Sequence, residues 1–388
     1  MLAASATWHG RDRPGQTRDS LGQNHGMDPH SGKRRRWLGA GAMAALLPAA
    51  PAAQAQASGA TPTRPPLRVG LGQDFAGLAE ALRQAQDGDT LEVLPGEYRG
   101  DVAVILQRQL RIIGLGEDSG ERPWLIADGR AAERKAIWVL RDGDFEIRNI
   151  GFRGARVPDQ NGAGIRFEKG RLLLQHCHFV DNENGLLSGN DGQAELVILD
   201  CEFRQAAPPP SALTHLLYVG RIGSLQVRRS RFLQGREGSL LKSRARQSLI
   251  VGNQLDDGLD GEASYQIDLP NGGIAHVEGN LLVQSPRAQN STLLSFGAEG
   301  QAWPDSRLTV LGNTFVNHRT AGGVFIRVWA NRLPLDAPVR SSGNRLLGPG
   351  SLVLGPQGQS DQDQRGPLPA PPPPSAAAPP AATAATRD

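Results

Sequence analysis

The sequence predicts an all-β fold: a single-stranded, right-handed parallel β-helix with an α-helical cap at its N-terminal end. The main observation is a six-residue pattern, in which a β-run is followed by a small polar residue, one spacer and a large apolar residue. Successive copies end between 23 and 33 residues apart, and irregular spacing of a constant motif is typical of a solenoid with variable loops. The copies are IRNIGF (147–152), LQHCHF (174–179), ILDCEF (198–203), VRRSRF (227–232), IVGNQL (250–255), VEGNLL (277–282), VLGNTF (310–315) and SSGNRL (341–346).

The fourth position of this pattern predicts a column of side chains inside the solenoid. Coils stacked about 4.8 Å apart place these residues one above another, and stacked asparagines can hydrogen-bond to their neighbours at a turn. Cys177 and Cys201 belong to the column, so we expect them to be small buried residues rather than a disulfide. The column consists of Ile150, Cys177, Cys201, Ser230, Asn253, Asn280, Asn313 and Asn344.

A helix at the start of the folded region supplies the predicted cap. Apolar residues recur there at helical spacing, and the sequence Asp87-Gly88-Asp89 then ends the helix before the strand and turn of TLEVLPGEY. The end of a solenoid exposes unpaired strands, so an amphipathic helix at this place is expected to cover them. The apolar positions are Phe75, Leu78, Ala81, Leu82 and Ala85.

Both ends of the chain are predicted to lie outside the solenoid. A basic cluster with Arg34-Arg35, an Ala/Leu-rich stretch and small residues indicate an export signal of the twin-arginine type, with Met27 as the expected start. Its apolar stretch is too short for a stable membrane span, so we expect a periplasmic or extracellular protein. We also expect the protein to be a monomer. The predicted division is an upstream extension and export signal (1–57), a linker (58–66), the parallel β-helix (67–355) and a disordered Pro/Ala-rich tail (356–388).

The charge balance of the predicted β-helix argues against nucleic-acid binding. The whole chain has a formal net charge of +3. Residues 67–355, however, contain 32 Lys and Arg against 33 Asp and Glu, which gives a net charge of −1. The basic character therefore belongs mostly to the leader, and any basic site on the β-helix must be local.

Such a local site is predicted in the stretch GSLLKSRARQSLIVGNQLDDGLDGEASYQIDLPNGG (238–273), which separates its bases from its acids. A second strand follows the six-residue pattern in most coils, and its alternation sends every second side chain outward. The predicted inward column is Ile165, Leu187, Tyr218, Leu241, Ile267, Leu294 and Ile326. The predicted outward column is Arg166, Ser188, Val219, Lys242, Asp268, Ser295 and Arg327, with Arg221, Arg244 and Glu299 farther along the same polar ridge.

The opening LAEALRQAQDGDTLEVLPGEY (78–98), together with the asparagine column, resembles the pectin-lyase-like superfamily of right-handed β-helices. The resemblance covers about residues 67–355 and implies the fold more specifically than the activity, because that superfamily includes lyases, hydrolases, epimerases and adhesins. A narrower similarity is to alginate lyases and chondroitinase B, which carry an N-K-S-type motif and, one coil later, an L-R-H-G-type motif. LLKSRA matches the first motif at Lys242 and Ser243, which implies that Lys242 is the base. In ASYQIDLPNGG, Asp268 stands where that family has an assisting arginine.

These residue types suit β-elimination on a uronate-containing, anionic polysaccharide. The proton at C5 becomes acidic only when the neighbouring carboxylate is neutralised, so the site needs cations, a base and an acid. Arginine can hold such a carboxylate bidentately, and an aromatic ring can stack on a sugar. The catalytic candidates are Lys242, Asp268 and Arg244, and the substrate-binding candidates are Arg221, Arg327, Glu299 and Trp329.

The acidic loop between the two motifs is a candidate calcium site. Four carboxylates within seven residues, interrupted by glycines, are the oxygen ligands that Ca²⁺ prefers. The alternative is a solvated acidic loop with no ligand, and no other cofactor is expected. The four candidates are Asp256, Asp257, Asp260 and Glu262.

Three other functions remain open from the sequence. Asp268 and Glu299 on adjacent coils could act as acid and base of a glycoside hydrolase. A uronate epimerase would share the proton-abstraction step. In a non-catalytic carbohydrate-binding or envelope-assembly protein, Lys242 and Asp268 would form only a cross-strand ion pair. His215 is interpreted as an ordinary loop histidine.

Overall fold

The computed structural model describes residues 64–205 and 214–369. Three long sheets of parallel strands form the described part of the chain, and consecutive strands pass from the first sheet to the second and then to the third. Each turn of the chain therefore adds one strand to every sheet. The predicted parallel β-helix is confirmed. The predicted extension, the export signal and residues 58–63 of the linker lie outside the described residues.

The first sheet has twelve strands. They are β1 (Leu67–Val69), β2 (Asp89–Val93), β5 (Gln109–Gly114), β8 (Gly143–Arg148), β11 (Gly170–Gln175), β14 (Glu195–Leu199), β17 (Ser224–Arg228), β20 (Gln247–Val251), β23 (Ile274–Glu278), β26 (Arg307–Leu311), β29 (Val339–Ser342) and β32 (Gly358–Asp361).

The second sheet has eleven strands. They are β3 (Gly96–Arg99), β6 (Pro123–Ile126), β9 (Gly151–Arg153), β12 (His178–Val180), β15 (Glu202–Arg204), β18 (Arg231–Leu233), β21 (Gln254–Asp256), β24 (Leu281–Gln284), β27 (Thr314–Asn317), β30 (Arg345–Leu347) and β33 (Gln364–Gly366).

The third sheet has ten strands and carries the candidate site. They are β4 (Ala103–Ile105), β7 (Ala136–Leu140), β10 (Ala163–Phe167), β13 (Asn184–Ser188), β16 (Leu217–Val219), β19 (Leu241–Ser243), β22 (Ile267–Leu269), β25 (Thr292–Phe296), β28 (Val324–Val328) and β31 (Ser351–Val353). Among the described residues, two short 3-10 helices, Glu117–Ser119 and Ala330–Arg332, lie in loops.

The cap is the helix α1 (Leu78–Gln84), as the sequence predicts. Its first backbone N–H groups, those of Leu78 and Ala79, donate to the two carboxylate oxygens of Asp101 at 2.6 and 2.7 Å. At the other end the Gln107 side-chain amide donates to the carbonyl oxygens of Leu82 and Ala85. Side chains from the next coil therefore satisfy both ends of the helix, whose unpaired groups need such partners.

The six-residue pattern forms the turn from the first sheet to the second, and its fourth position is the predicted ladder. Each asparagine side chain donates to the side-chain oxygen of the next one, at 2.9 Å for Asn253 to Asn280, 2.9 Å for Asn280 to Asn313 and 3.0 Å for Asn313 to Asn344. The same oxygens also accept the backbone N–H of the preceding ladder residue. Cys177 and Cys201 are free and buried within the column, as predicted.

The third position of the pattern explains why the later copies contain glycine. This residue has a positive φ in every copy, including His176 at 53°, Asp200 at 54° and Arg229 at 49°. A left-handed backbone is strained for residues with a side chain and relaxed for glycine. The copies with asparagine at the fourth position have glycine at the third, namely Gly252, Gly279, Gly312 and Gly343.

The solenoid continues past residue 355, where the prediction ended it. β32 and β33 lie in the segment that was predicted to be disordered, so that boundary is wrong. The reason is a ninth copy of the turn, SDQDQR (360–365), with Asp363 at the fourth position. Asp363 accepts hydrogen bonds from the backbone and the side chain of Asn344, both at 2.8 Å, and ends the ladder. Residues 370–388 lie outside the described residues.

Aromatic stacking fills the interior of the middle coils. The sixth residues of four successive copies are phenylalanines with nearly parallel rings, whose centroids are 4.4 to 5.1 Å apart. Stacked rings of this kind add to the stabilisation from burial alone. The rings belong to Phe152, Phe179, Phe203 and Phe232.

In the described part of the chain no helix is long and apolar enough to cross a membrane.

Candidate functional site

The outward column of the third sheet differs from the prediction at two coils. Lys242 pairs with Tyr218 on one side and with Asp268 on the other, so Tyr218 faces outward. The prediction had placed Tyr218 and Leu187 inward, and Ser188 and Val219 outward. These coils contain adjacent leucines, Leu186-Leu187 and Leu216-Leu217, so alternation alone left the register open by one residue. The observed outward column is Arg166, Leu187, Tyr218, Lys242, Asp268, Ser295 and Arg327.

A groove of about 340 Å³ lies on the third sheet beside β19, β22 and β25. Four sequence-predicted candidates line it, namely Lys242, Asp268, Glu299 and Trp329. Two further lining residues, His215 and Tyr265, were not among the predicted site residues.

Lys242 is the charged centre of the groove. Its Nζ lies 2.8 Å from Glu299 Oε1 and 3.5 Å from Asp268 Oδ2, and its side chain is only 12% exposed. It also lies 5.5 Å from the centre of the Tyr218 ring, within cation–π range. The predicted ion pair of Lys242 with Asp268 is therefore present, and Glu299 forms a second ion pair with Lys242.

Arg244 does not line the groove itself but contacts Glu299, which does, and it is held from four directions. Its Nε donates to the Tyr218 hydroxyl at 3.0 Å, its Nη1 to Asn271 Oδ1 at 2.8 Å and its Nη2 to Glu299 Oε2 at 2.5 Å. Its backbone oxygen accepts from Trp303 Nε1 at 3.1 Å. A guanidinium with every branch engaged has a fixed direction.

The pKa values of the two carboxyl groups in the groove are shifted in opposite directions. Burial raises the pKa of Asp268 to about 6, although Lys242 opposes the shift. One oxygen of this carboxylate, Oδ1, is buried without a hydrogen-bond partner in the described part of the chain. Burial also acts on Glu299, but hydrogen bonds from Lys242 and Arg244 outweigh it and lower the pKa of Glu299. Carboxyl groups separated in this way are typical of acid–base sites.

His215 lies in the loop before β16, as predicted, and it also lines the groove. Its Nδ1 accepts the backbone N–H of Ser239 at 2.8 Å, and its ring packs edge-on against Tyr218 at 5.0 Å. Burial, with Lys242 and Arg244 close by, lowers the pKa of His215 to about 3. The imidazole is therefore neutral at physiological pH. Its burial depends on coil stacking, which a single loop sequence does not reveal.

Tyr265 is the second lining residue that sequence reasoning missed. Burial and the charge of Asp268 raise the pKa of Tyr265, so its hydroxyl keeps its proton. A hint was available in the sequence, because Tyr265 precedes Asp268 by three residues in the motif already singled out.

The remaining binding candidates lie around the groove. Arg327 has its guanidinium 5.5 Å from the Trp329 ring, beside the groove. Arg221 lies 4.1 Å over the Trp303 ring and donates to Gln301 O, and it does not line the groove. The structure thus brings Lys242, Arg244, Asp268 and Glu299 together and leaves Arg221 apart.

The structure does not bring the four predicted calcium ligands together. Among residues 64–205 and 214–369, no group of three acidic, His or Cys side chains can hold a metal ion. Asp257 is fully buried, accepts the backbone N–H groups of Gly235 and Ala263, and has its pKa raised to about 7 by burial. Asp260 is 96% exposed, and Glu262 pairs with Arg287 at 2.7 Å.

Asp256 and Asp257 of the acidic loop instead accept hydrogen bonds from backbone N–H groups. Asp256 accepts the backbone N–H of Gly258 at 2.9 Å, and Asp257 ties the loop to the neighbouring coil through Gly235. The loop lines a separate cavity that shares no lining residue with the groove.

Comparison with known proteins assigns no family. No protein-family model matches the chain, and no curated protein matches it in sequence. Among solved structures, the chain is similar to ORF18 of Geobacillus virus E2, at 12% sequence identity and a TM-score of 0.38. That similarity covers 72% of this chain and 53% of the viral one, so the chain spans about half the length of that structure. A similarity with so low an identity and TM-score supports no conclusion about family or function. The resemblance to pectin-lyase-like proteins stays a prediction.

Proposed function

We propose that the groove binds an anionic, uronate-containing polysaccharide and cleaves it by β-elimination. One observation carries the proposal: Lys242 and Arg244 direct their charged groups at the same point, where they already hold a carboxylate, that of Glu299. A uronate presents the same group. Trp329, which also lines the groove, offers a face for a sugar ring.

In this proposal the cations neutralise the substrate carboxylate, and Asp268 removes the C5 proton. An ammonium that donates to Glu299 and lies 3.5 Å from Asp268 Oδ2 has no free lone pair, so Lys242 serves as a cation here and not as the base that the family resemblance implied. A carboxyl group with a pKa of about 6 is mostly ionised at neutral pH and more basic than an ordinary aspartate, which suits a general base.

The proton for the leaving oxygen comes from Tyr265. The electron pair of the C5–H bond forms the C4–C5 double bond, the C4–O bond breaks, and the Tyr265 hydroxyl protonates the departing glycosidic oxygen. The phenolate then regains a proton from Asp268, directly or through water, which restores both groups. No metal or redox partner is needed for this balance.

The export signal predicted in residues 33–57 fits this activity, because acidic polysaccharides are components of envelopes and extracellular matrices. We therefore propose that the protein acts in the periplasm or outside the cell.

The test is to mix the purified protein with alginate, polygalacturonate and glycosaminoglycans and to follow the ultraviolet absorbance of unsaturated uronates. We expect the absorbance to rise with one of them, and Lys242→Ala to abolish the rise. Lys169→Ala is the matched control, because Lys169 is an exposed lysine with carboxylates only at 3.8 and 3.9 Å. Binding without cleavage would indicate a carbohydrate-binding protein. If the protein neither bound nor cleaved any of these polysaccharides, the proposal would be refuted.

Glycoside hydrolysis is the second candidate, and the pairing of Asp268 with Glu299 favours it. Both carboxylates contact Lys242 Nζ, so their nearest oxygens lie within about 6 Å of each other, a separation compatible with an acid and a nucleophile or base. Release of reducing ends without the ultraviolet chromophore would indicate this reaction.

A further inference from the structure

The carboxylate of Glu299 sits where the proposed substrate would place its own. Oε1 lies 2.8 Å from Lys242 Nζ and Oε2 lies 2.5 Å from Arg244 Nη2. We propose that Lys242 and Arg244 form a carboxylate-binding subsite, that Glu299 occupies it in the free protein, and that the carboxylate of an acidic sugar displaces Glu299. This inference rests on the proposed function and specifies how its site selects a ligand.

The two cations keep their positions independently of Glu299. Arg244 retains its hydrogen bonds to Tyr218 and Asn271, and Lys242 retains its contact with Asp268. Asn271 is itself fixed, because it is 3% exposed and its amide donates to Gly300 O at 2.7 Å. The subsite is therefore built before any ligand arrives, which reduces the ordering that binding requires.

Glu299 is the exchangeable member of the cluster. Its side chain is 43% exposed, whereas those of Lys242 and Arg244 are 12% and 18% exposed. Its backbone N–H is held by Pro270 O at 3.0 Å, so rotation of the side chain alone can release the carboxylate into solvent. The released group loses two ion pairs, and an incoming sugar carboxylate forms two of the same kind.

Selectivity follows from this exchange. A neutral sugar offers no charge in return and cannot displace Glu299, so the groove discriminates in favour of uronates. An internal competitor also weakens the apparent affinity for the true ligand, because only the open fraction binds. Two partly exposed ion pairs of this kind correspond to about a tenfold effect on the dissociation constant.

The experiment is calorimetric titration of the whole protein with glucuronate, oligoalginate and oligogalacturonate at low ionic strength. Glu299→Gln and Glu299→Ala are expected to bind the preferred uronate about tenfold more tightly than the unmodified protein, and Lys242→Ala is expected to lose binding. Glu262→Gln is the matched control, since Glu262 also pairs with an arginine at 2.7 Å but lies outside the groove. It should leave the affinity unchanged.

The outcomes separate this inference from the proposed function. If the unmodified protein binds a uronate and the Glu299 variants bind it with equal or lower affinity, the displacement is refuted while the groove remains a sugar site. If the unmodified protein releases reducing ends without the ultraviolet chromophore, lower affinity together with loss of that release in the Glu299 variants would indicate that Glu299 is a catalytic group of a hydrolase. If no form of the protein binds any of the three probes, the proposed function and the displacement both fail. The unfolding temperature of each variant confirms that it is folded.

Discussion

Lys242 Nζ lies 2.8 Å from Glu299 Oε1, although 57 residues separate them in the chain. Three successive coils of the third sheet create this proximity: Lys242 is on β19, Asp268 on β22, and Glu299 follows β25. Parallel stacking converts residues far apart in sequence into neighbours spaced by the distance between strands. The charge cluster is thus a product of the solenoid, and its chemistry can be tested residue by residue.

The raised pKa of Asp268 predicts an unusual pH dependence of stability. The folded pKa of about 6 exceeds the ordinary value of 3.8, so the folded state binds the proton more tightly than the unfolded state. At pH 7 the buried carboxylate is charged and destabilising, and Asp268→Asn should raise the free energy of unfolding by about 1–3 kcal/mol. As the pH falls through 6 towards 4, the wild-type protein gains this stability and the difference should vanish. Urea unfolding of both proteins between pH 4 and 8 measures it, and a difference independent of pH would contradict the assignment.

Replacing the buried Gln266 by leucine is expected to stabilise the protein. Gln266 precedes Ile267 just as Leu240 precedes Leu241 and Leu293 precedes Leu294, and all three positions are fully buried. Both polar atoms of the Gln266 amide lack a hydrogen-bond partner in the described part of the chain. Replacing an unsatisfied buried amide by leucine should therefore raise the free energy of unfolding by about 1–3 kcal/mol.

Gln284 provides the matched control for that substitution. It is equally buried and its Oε1 also lacks a partner in the described residues, but its Nε2 donates to the carbonyl oxygens of Asn290 and Thr292. Gln284→Leu should destabilise the protein, because it leaves two carbonyl groups without these donors. Urea unfolding compares the two variants, and equal effects of the same sign would refute the argument from hydrogen bonding.

The asparagine ladder predicts a large effect of a single truncation. Asn280 donates to Asn313 and to Ile250 O and accepts from both the backbone and the side chain of Asn253. Asn280→Ala should lower the free energy of unfolding by about 2–4 kcal/mol, since several buried groups lose their partners at once. Asn161→Ala, at an exposed position, should change it by no more than about 0.5 kcal/mol. Thermal and urea unfolding give both values, and equal values would contradict the ladder's role.

Asp363 predicts that the last coil stabilises the end of the ladder. Burial acts to raise its pKa, but hydrogen bonds from Ser341, Ser360 and Asn344 outweigh this and lower the pKa of Asp363. The stabilisation is therefore present at neutral pH and is lost as the pH falls through the lowered folded pKa. Because the site is partly exposed, Asp363→Ala should destabilise by only about 1 kcal/mol at pH 7.

Asp361→Ala is the control for Asp363. Asp361 is exposed and meets Arg340 only at 3.7 Å, so its removal should have little effect. If both substitutions behaved alike in urea unfolding at pH 7, the capping role of Asp363 would be wrong.

Much of the fold could be predicted because the six-residue turn repeats a physical requirement. Position four must fit the ladder and position six must fill the core, so both are visible as residue types. The last copy was missed because Asp363 replaces asparagine, Gln362 replaces glycine with the same positive φ of 57°, and the exposed Arg365 replaces the large apolar sixth residue. A search for any residue able to accept the ladder's hydrogen bonds would have found it.

The site was less predictable because its geometry depends on register and on loops. Lys242 and Asp268 were selected correctly as neighbours, since strand alternation places them on one face, and Glu299 reaches them from the turn after β25. Tyr218 was misplaced because two adjacent leucines satisfy the inward column equally well. The acidic loop looked like a metal site because the sequence does not show that Asp257 turns inward to bind backbone N–H groups.

The most direct measurement is a crystal structure of the protein with the oligouronate that binds most tightly. The proposal predicts a sugar carboxylate within hydrogen-bond distance of both Lys242 Nζ and Arg244 Nη2, with the Glu299 side chain turned into solvent. A sugar bound on another face, with Glu299 still between Lys242 and Arg244, would contradict it.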